Sequence, residues 1–245
     1  MENNIPVIEI TNLHKAFGDN EVLNGVNITV QKGEDVVILG RSGTGKSVTI
    51  KCLIGLEEAD KGSIKVFGTE VTKLNNNELN EIRARIGFMF QNGALYDSMS
   101  VRQNLTFTLK HHDKHITKED LDMRINDALE NVGLLEAIDK MPSELSGGMQ
   151  KRIGMARTLI VKPEIILYDE PTSGLDTITA REISELMVSI QKKYKTTSLI
   201  ITHDMACAKL TGNRIMILKD GVINAEGTYT ELEKSKDPWV KSFFI

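Results

Sequence analysis

Short stretches that are apolar at nearly every position recur along the chain, separated by glycine-bearing turns and by segments of helical spacing. Val36-Val-Ile-Leu39, Ile86-Gly-Phe-Met-Phe90, Ile165-Ile-Leu-Tyr168, Ser198–Ile201 and Ile215–Leu218 have this character. Four or five residues without polar alternation predict strands covered on both faces, as in a parallel sheet. Nearer the start, Val7–Leu13 and Val22–Val30 predict an opening pair of strands, and the second is bounded by Lys32-Gly33. Gly62-Ser-Ile-Lys-Val-Phe67 alternates and runs into Gly68, which predicts an edge strand and turn. Helical spacing follows Lys46 through Ile50, Leu53 and Ile54 to Gly55.

From Val101 to Leu159 the strand signals stop. Val101–Leu109, Asp120–Val132 and Met149–Leu159 carry helical periodicity, with Lys114–Asp120 polar enough for a loop and helix cap. Strands then return in alternation with helices. The expectation is one α/β domain over 1–245 with antiparallel strands at its start, a helical subdomain inserted over 92–160, and a helical tail over 228–245. The tail begins charged and ends apolar at Trp239-Val-Lys-Ser-Phe-Phe-Ile245, suited to docking on the domain or on a partner. No repeat or low-complexity tract interrupts the pattern.

Composition narrows the class. The 245 residues are 40% apolar and 26% charged, with a net charge of -4, so no basic signature for nucleic acid is present. No apolar run is long enough to cross a membrane. Met1-Glu-Asn-Asn-Ile-Pro6 lacks the basic and apolar parts of an export leader. Cys52 and Cys207 sit in apolar segments and predict buried, reduced thiols. His111, His112 and His115 predict a solvated loop or helix end rather than a metal site.

The chemistry centres on Gly40-Arg-Ser-Gly-Thr-Gly-Lys-Ser47, a phosphate-binding loop between a strand and a helix. Its glycines let backbone N–H groups converge on phosphate, Lys46 reaches the terminal phosphates, and Ser47 offers a hydroxyl to Mg²⁺. Gly40, Arg41, Ser42, Gly43, Thr44, Gly45, Lys46, Ser47 and Val48 are the expected nucleotide contacts. Asp169-Glu170 ends an apolar strand, so Asp169 is expected in the Mg²⁺ shell and Glu170 beside the attacking water. Gln91 ends another strand; it is either a surface amide or a ligand to metal or water. His203 falls at the same rim, able to donate to a γ-phosphate oxygen, or merely precedes a helix capped by Asp204. Leu145-Ser-Gly-Gly-Met-Gln150 forms a second anion-binding helix start, with Ser146 as cap and Gly147 and Gly148 open to close approach. Two such ends suit a symmetric dimer in which each chain completes the other's site. Ala94, Leu95 and Tyr96 are an apolar patch, suited to a partner contact or to local packing.

These motifs occur in the order found in ATP-binding-cassette ATPases, and the chain resembles that family over nearly its whole length. The resemblance implies the P-loop NTPase fold of that type, with an antiparallel β subdomain and a helical insertion. It implies Phe17 stacking on adenine, Ser146, Gly147 and Gly148 binding ATP across a dimer, and Asp176, within Ser173-Gly-Leu-Asp176, near the nucleotide in the loop between the two sites. His203 becomes the residue that senses the γ-phosphate, and ATP and Mg²⁺ the ligands. Arg41, Val48 and Thr177 depart from the family's commonest residues, and Thr177, standing where proline is common, suggests a looser start to the following helix.

Phe90-Gln-Asn-Gly-Ala-Leu-Tyr-Asp-Ser-Met-Ser100 and Leu145–Gly154 are similar to the Mla/Mce class of phospholipid-transport ATPases. That finer resemblance implies integral membrane permease subunits, a periplasmic lipid-binding Mce-type component, and a place on the cytoplasmic face of the inner membrane. The alternative is the ATPase of another transporter, such as a solute importer or a lipoprotein or cell-division type complex. DNA-repair and translation cassettes fit less well, because the chain shows one cassette, no heptads and a slightly acidic balance.

Overall fold

The computed structural model describes residues 6–91 and 93–244. Met1–Ile5, Asn92 and Ile245 lie outside the described residues, and with them fall the leader reading and parts of the segment after Gln91 and of the apolar end.

Two sheets form from the predicted strands. The first is antiparallel, in the order β2-β1-β4-β5, from β1 (Ile8–Phe17), β2 (Asn20–Val30), β4 (Lys61–Val66) and β5 (Thr69–Glu70). The second has the order β10-β9-β3-β8-β7-β6, from β3 (Asp35–Leu39), β6 (Ile86–Met89), β7 (Ile165–Asp169), β8 (Thr197–Thr202), β9 (Arg214–Lys219) and β10 (Val222–Gly227). Its strands β6, β7, β8, β3 and β9 pair in parallel, and β10 closes one edge antiparallel.

The unbroken apolar runs are explained by two cores, one on each face of the larger sheet. Val37, Leu39, Ile166, Tyr168, Ile200, Ile215 and Ile217 face the core shared with the helices. Val36, Ile38, Ile165, Leu167, Leu199, Ile201, Met216 and Leu218 face the core shared with the antiparallel sheet. Successive strand residues point to opposite faces, so a strand buried twice is apolar through its middle, with buried polar residues such as Asp35, Thr197, Ser198 and Thr202 confined to its ends.

Helices α1 (Lys46–Leu53) and α2 (Asn76–Arg83) flank the second core, which takes in Ile50, Leu53, Leu79 and Ile82. The helical insertion contributes α3 (Val101–His112), α4 (Lys118–Asn131) and α5 (Gly147–Leu159), joined through Leu105, Leu109, Ile125, Leu129 and Ile153. α6 (Thr177–Tyr194) and α7 (Met205–Thr211) connect the returning strands. In the tail, α8 (Tyr229–Glu233) and α9 (Pro238–Lys241) dock on the first core: Val240 is buried and Tyr229 meets Phe244 edge-on. Asn24 N donates to Gly221 O, and Arg214 chelates Glu34 at 2.7 and 2.9 Å while also reaching Thr29 O and Glu226. These contacts tie the two sheets together.

Three expectations change. Gly62–Phe67 is not the edge: β4 pairs with β1 on one side and the two-residue β5 on the other, through a tight turn at Phe67-Gly68 with both φ positive. α2, capped by an Asn75–Glu78 box, and β10 carry too little apolar pattern to be read as elements. Thr177 does not loosen α6. Asp176 Oδ1 accepts from the N–H groups of Ile178 and Thr179 at 3.0 and 3.1 Å, which fixes that start.

Candidate active site

Parallel pairing brings the motifs into one row. The chain leaves β3 into the Gly40–Ser47 loop, β8 into His203, β7 into Glu170 and β6 toward Gln91. These four strands are neighbours in the order β3-β8-β7-β6, and all end at the same rim. That rim is where open α/β sheets hold ligands.

The loop itself packs on β2. Gly45 has φ 98, and a Cβ there would come within 2.7 Å of Leu23 and 2.9 Å of the Val22 carbonyl, so only glycine fits. Phe17, at the tip of the same β1–β2 hairpin, is an exposed aromatic whose ring centroid lies 5.2 Å from Lys15 Nζ. Among the described residues, the N–H groups of Gly43, Gly45, Lys46 and Ser47 donate to no acceptor in the chain. They form a row of free donors at the start of α1, the arrangement that binds phosphate oxygens. Arg41 and Ser42 are exposed, and Thr44 and Val48 half-buried.

The charged groups interlock beneath this row. Lys46 Nζ donates to Gly40 O at 2.8 Å and Arg41 O at 3.1 Å, and lies 3.4 Å from Glu170 Oε1. The other oxygen, Glu170 Oε2, is 2.8 Å from His203 Nδ1 and accepts from His203 N at 3.3 Å. Ser47 Oγ donates to Asp169 Oδ1 at 2.8 Å. Burial raises the Asp169 carboxyl above the ordinary range, opposed by the Ser47 hydroxyl. Glu170 sits at φ 49 and its N–H donates to Ile201 O at 2.8 Å. That left-handed turn aims its side chain away from Asp169.

A hydroxyl and a carboxylate beside a phosphate-binding row fit Mg²⁺, which takes one or two protein oxygens and completes its shell with phosphate and water. Among the described residues no group of three His, Cys, Asp or Glu side chains could hold a metal by itself.

The remaining predicted residues lie further out. Gln91 is exposed; its carbonyl, not its amide, is engaged, accepting from Lys151 Nζ. Ser146 caps α5 by accepting from Met149 N at 3.3 Å. Gly147 and Gly148 approach Leu175 and Thr179, not the Gly40–Ser47 loop. The Asp176 carboxylate is spent on capping α6, and its bonds from the Thr179 hydroxyl and N–H hold its pKa below the usual range. Leu95 packs on the core, while Tyr96 is exposed and meets Phe107 edge-on. His111, His112 and His115 are exposed at the end of α3 and just after it. Cys52 and Cys207 are buried free thiols.

Two residues join the site unannounced. Lys151 is buried and donates to Gln91 O, Glu170 O at 3.3 Å and Ser173 Oγ at 3.4 Å. A lysine four residues before Met155 and eight before Leu159, on the buried stripe of α5, was its signal in the sequence. Thr172 Oγ1 donates to Asp204 Oδ2 at 2.9 Å, tying the turn after Glu170 to the turn after His203. Among the described residues no helix is long and apolar enough to cross a membrane.

A family model described as ABC transporter matches residues 23–173. A probable ribonucleotide transport ATP-binding protein of Mycobacterium tuberculosis is 40% identical over 236 residues, which cover 96% of this chain and 66% of that protein. A methionine import ATP-binding protein of Brucella abortus is 38% identical over 91% of this chain and 60% of its own length. The chain thus spans less than two thirds of these curated relatives. Among solved structures, the ATP-binding cassette MJ0796, a dimer in a post-hydrolysis state with ADP and Pi, superimposes with a TM-score of 0.82 at 30% identity. That match covers 90% of this chain and 98% of the other.

Proposed function

The chain belongs to the ABC transporter family, in the P-loop α/β fold of its ATP-binding subunits, and from that premise we propose that it hydrolyses ATP to drive a membrane transporter. The observation that carries this reading is the Glu170 carboxylate held between Lys46 and His203, one residue from the Asp169–Ser47 pair. Lys46 and the free N–H groups of the loop bind the phosphates, assisted by the dipole of α1. Ser47 and Asp169, with Gln91 just past the end of the neighbouring strand, would hold Mg²⁺, which would neutralise charge on the phosphates. Glu170 takes the proton of the attacking water, and His203 fixes its outer oxygen and donates to the γ-phosphate. Phe17, exposed at the hairpin tip, stacks on the base.

Within one chain the Ser146 turn lies against α6, leaving it exposed for a second copy. We assign it, with Asp176 nearby, to an ATP bound by the partner in a nucleotide sandwich. The dimer of MJ0796 supports that arrangement. The permease holds the assembly at the cytoplasmic face of the inner membrane. Sedimentation tests the sandwich: Glu170→Gln with ATP and Mg²⁺ sediments as a dimer, and adding Ser146→Arg returns it to a monomer that still binds ATP. A monomer in the first case sinks the arrangement.

For the load, the relatives favour solute import over phospholipid transport. Those named for ribonucleotide transport and methionine import match more than nine tenths of the chain. The phospholipid reading rests on the resemblance across Phe90–Ser100 and Leu145–Gly154. Recovery of the intact complex in detergent discriminates them. A solute-binding protein beside the permease supports import, and an Mce-type lipid-binding component restores the phospholipid reading.

A further inference from the structure

Lys151 is a buried cation outside the phosphate loop, and its three acceptors come from three different parts of the site. Gln91 O belongs to the chain leaving β6, Glu170 O to the turn leaving β7, and Ser173 Oγ to the segment leading to α6. Lys151 itself stands on α5, five residues after the Ser146 cap. Glu170 is held at both ends of its backbone: its N–H by Ile201 O, its carbonyl by Lys151 Nζ at 3.3 Å and by Ser173 N at 3.2 Å. The next residue is Pro171, which has no N–H to add. At φ 49 the Glu170 backbone is in a region a glutamate rarely occupies, and such a conformation persists only where its surroundings over-determine it.

We propose that Lys151 is a positioning residue for the ATPase reaction, linking the Ser146 helix and the Gln91 strand end to the backbone that aims the Glu170 carboxylate. A displacement of α5, such as docking of a second copy on the Ser146 turn would cause, then reaches Glu170 through one ammonium group. Burial lowers the proton affinity of that ammonium, opposed by the negative charges of Glu170 and Asp169. This inference rests on the assignment of Glu170 as the base.

The test is steady-state ATP hydrolysis by the full chain with Lys151→Met and Lys151→Arg, alongside equilibrium nucleotide affinity and thermal unfolding. A misaimed base costs turnover, not binding, so Lys151→Met lowers kcat by roughly 30- to 100-fold and leaves ATP affinity within about threefold. Lys151→Arg, which still donates to Gln91 O and Glu170 O, restores kcat to within about tenfold. If Lys151→Met is not recovered folded, Lys151→Gln retains a shorter donor and serves the same comparison. Unchanged kcat overturns the proposal. So does a loss of kcat matched by equal losses in affinity and melting temperature that arginine does not rescue. Normal turnover in Glu170→Gln is a different failure: it removes the base assignment, whatever Lys151 shows, and this inference with it.

Discussion

Nδ1 of His203 lies 2.8 Å from Oε2 of Glu170, while Lys46 Nζ stands 3.4 Å from the other oxygen of the same carboxylate. The carboxylate is fixed on both sides, so its loss removes a positioned base rather than a loose charge. Glu170→Gln keeps the size and can still meet both neighbours. We expect kcat to fall by about 10²- to 10⁴-fold with ATP affinity retained, the range for losing a positioned base. Phosphate release and equilibrium nucleotide binding on one preparation check it. His203→Ala is expected to lower kcat less, because Glu170 keeps Lys46.

The Ser47–Asp169 bond of 2.8 Å places a hydroxyl and a carboxylate where Mg²⁺ is assigned. Ser47→Ala removes one proposed ligand and the group that steadies the other. The Mg²⁺ concentration giving half-maximal hydrolysis is expected to rise by roughly tenfold or more. Chelating Mg²⁺ abolishes turnover in the unaltered chain. An unchanged Mg²⁺ titration in Ser47→Ala would remove Ser47 from the metal shell.

Asp35 is buried at the start of β3, and its Oδ1 has no hydrogen-bond partner among the described residues. Burial raises its carboxyl from 3.8 to about 6, opposed by a bond from Ser198 and reinforced by Glu34. Between those values the folded chain keeps a proton that the unfolded chain has released. This group's contribution to stability therefore falls as pH rises from about 4 to about 6 and stays low above that. Holding the carboxyl at about 6 rather than 3.8 costs the folded, ionised form on the order of 3 kcal/mol. Asp35→Asn is thus expected to raise stability more at pH 7.5 than at pH 4.5. Urea unfolding of both proteins at the two pH values checks the sign; an equal effect at both would contradict it.

Asn104 is fully buried in α3 and satisfies the loop before it. Its side chain accepts from Tyr96 N at 2.8 Å and donates to Tyr96 O, Met99 O and Ser100 O. Tyr96 O and Ser100 O keep bonds from Met99 N and Asn104 N, but Asn104→Ala leaves Tyr96 N and Met99 O without this partner, at a cost of roughly 2–4 kcal/mol. A chain of this size would melt on the order of 5–10 °C lower.

The motifs that carry reactive groups were legible because their physical requirements are local. A glycine row before Lys46 and two carboxylates after an apolar strand need no distant residue to make sense. The five parallel strands of the larger sheet were legible because burial on both faces leaves their middles apolar. What stayed hidden depends on contacts far apart in the chain. α2 buries only Leu79 and Ile82, and β10 buries none of its residues fully and exposes Asn224 and Glu226, so each apolar face is too small to stand out. Lys151 stands beside Arg152, and its acceptors Gln91 O, Glu170 O and Ser173 Oγ come from segments far apart in the chain. The Ser146 turn was legible as an anion-binding end, but its distance from the phosphate loop followed only from the packing of Gly148 on Thr179.

The division of β7 between two cores has a consequence for how this strand can change. Ile165 and Leu167 serve one face and Ile166 and Tyr168 the other, and Asp169 ends the strand. The count runs to Asp169, and the left-handed turn at Glu170 follows directly on it, so packing and chemistry share one register. Deleting or inserting one residue would exchange the two hydrophobic faces and, in the same step, turn both carboxylates away from Ser47 and Lys46. Substitution is open to this strand; a change of length is not.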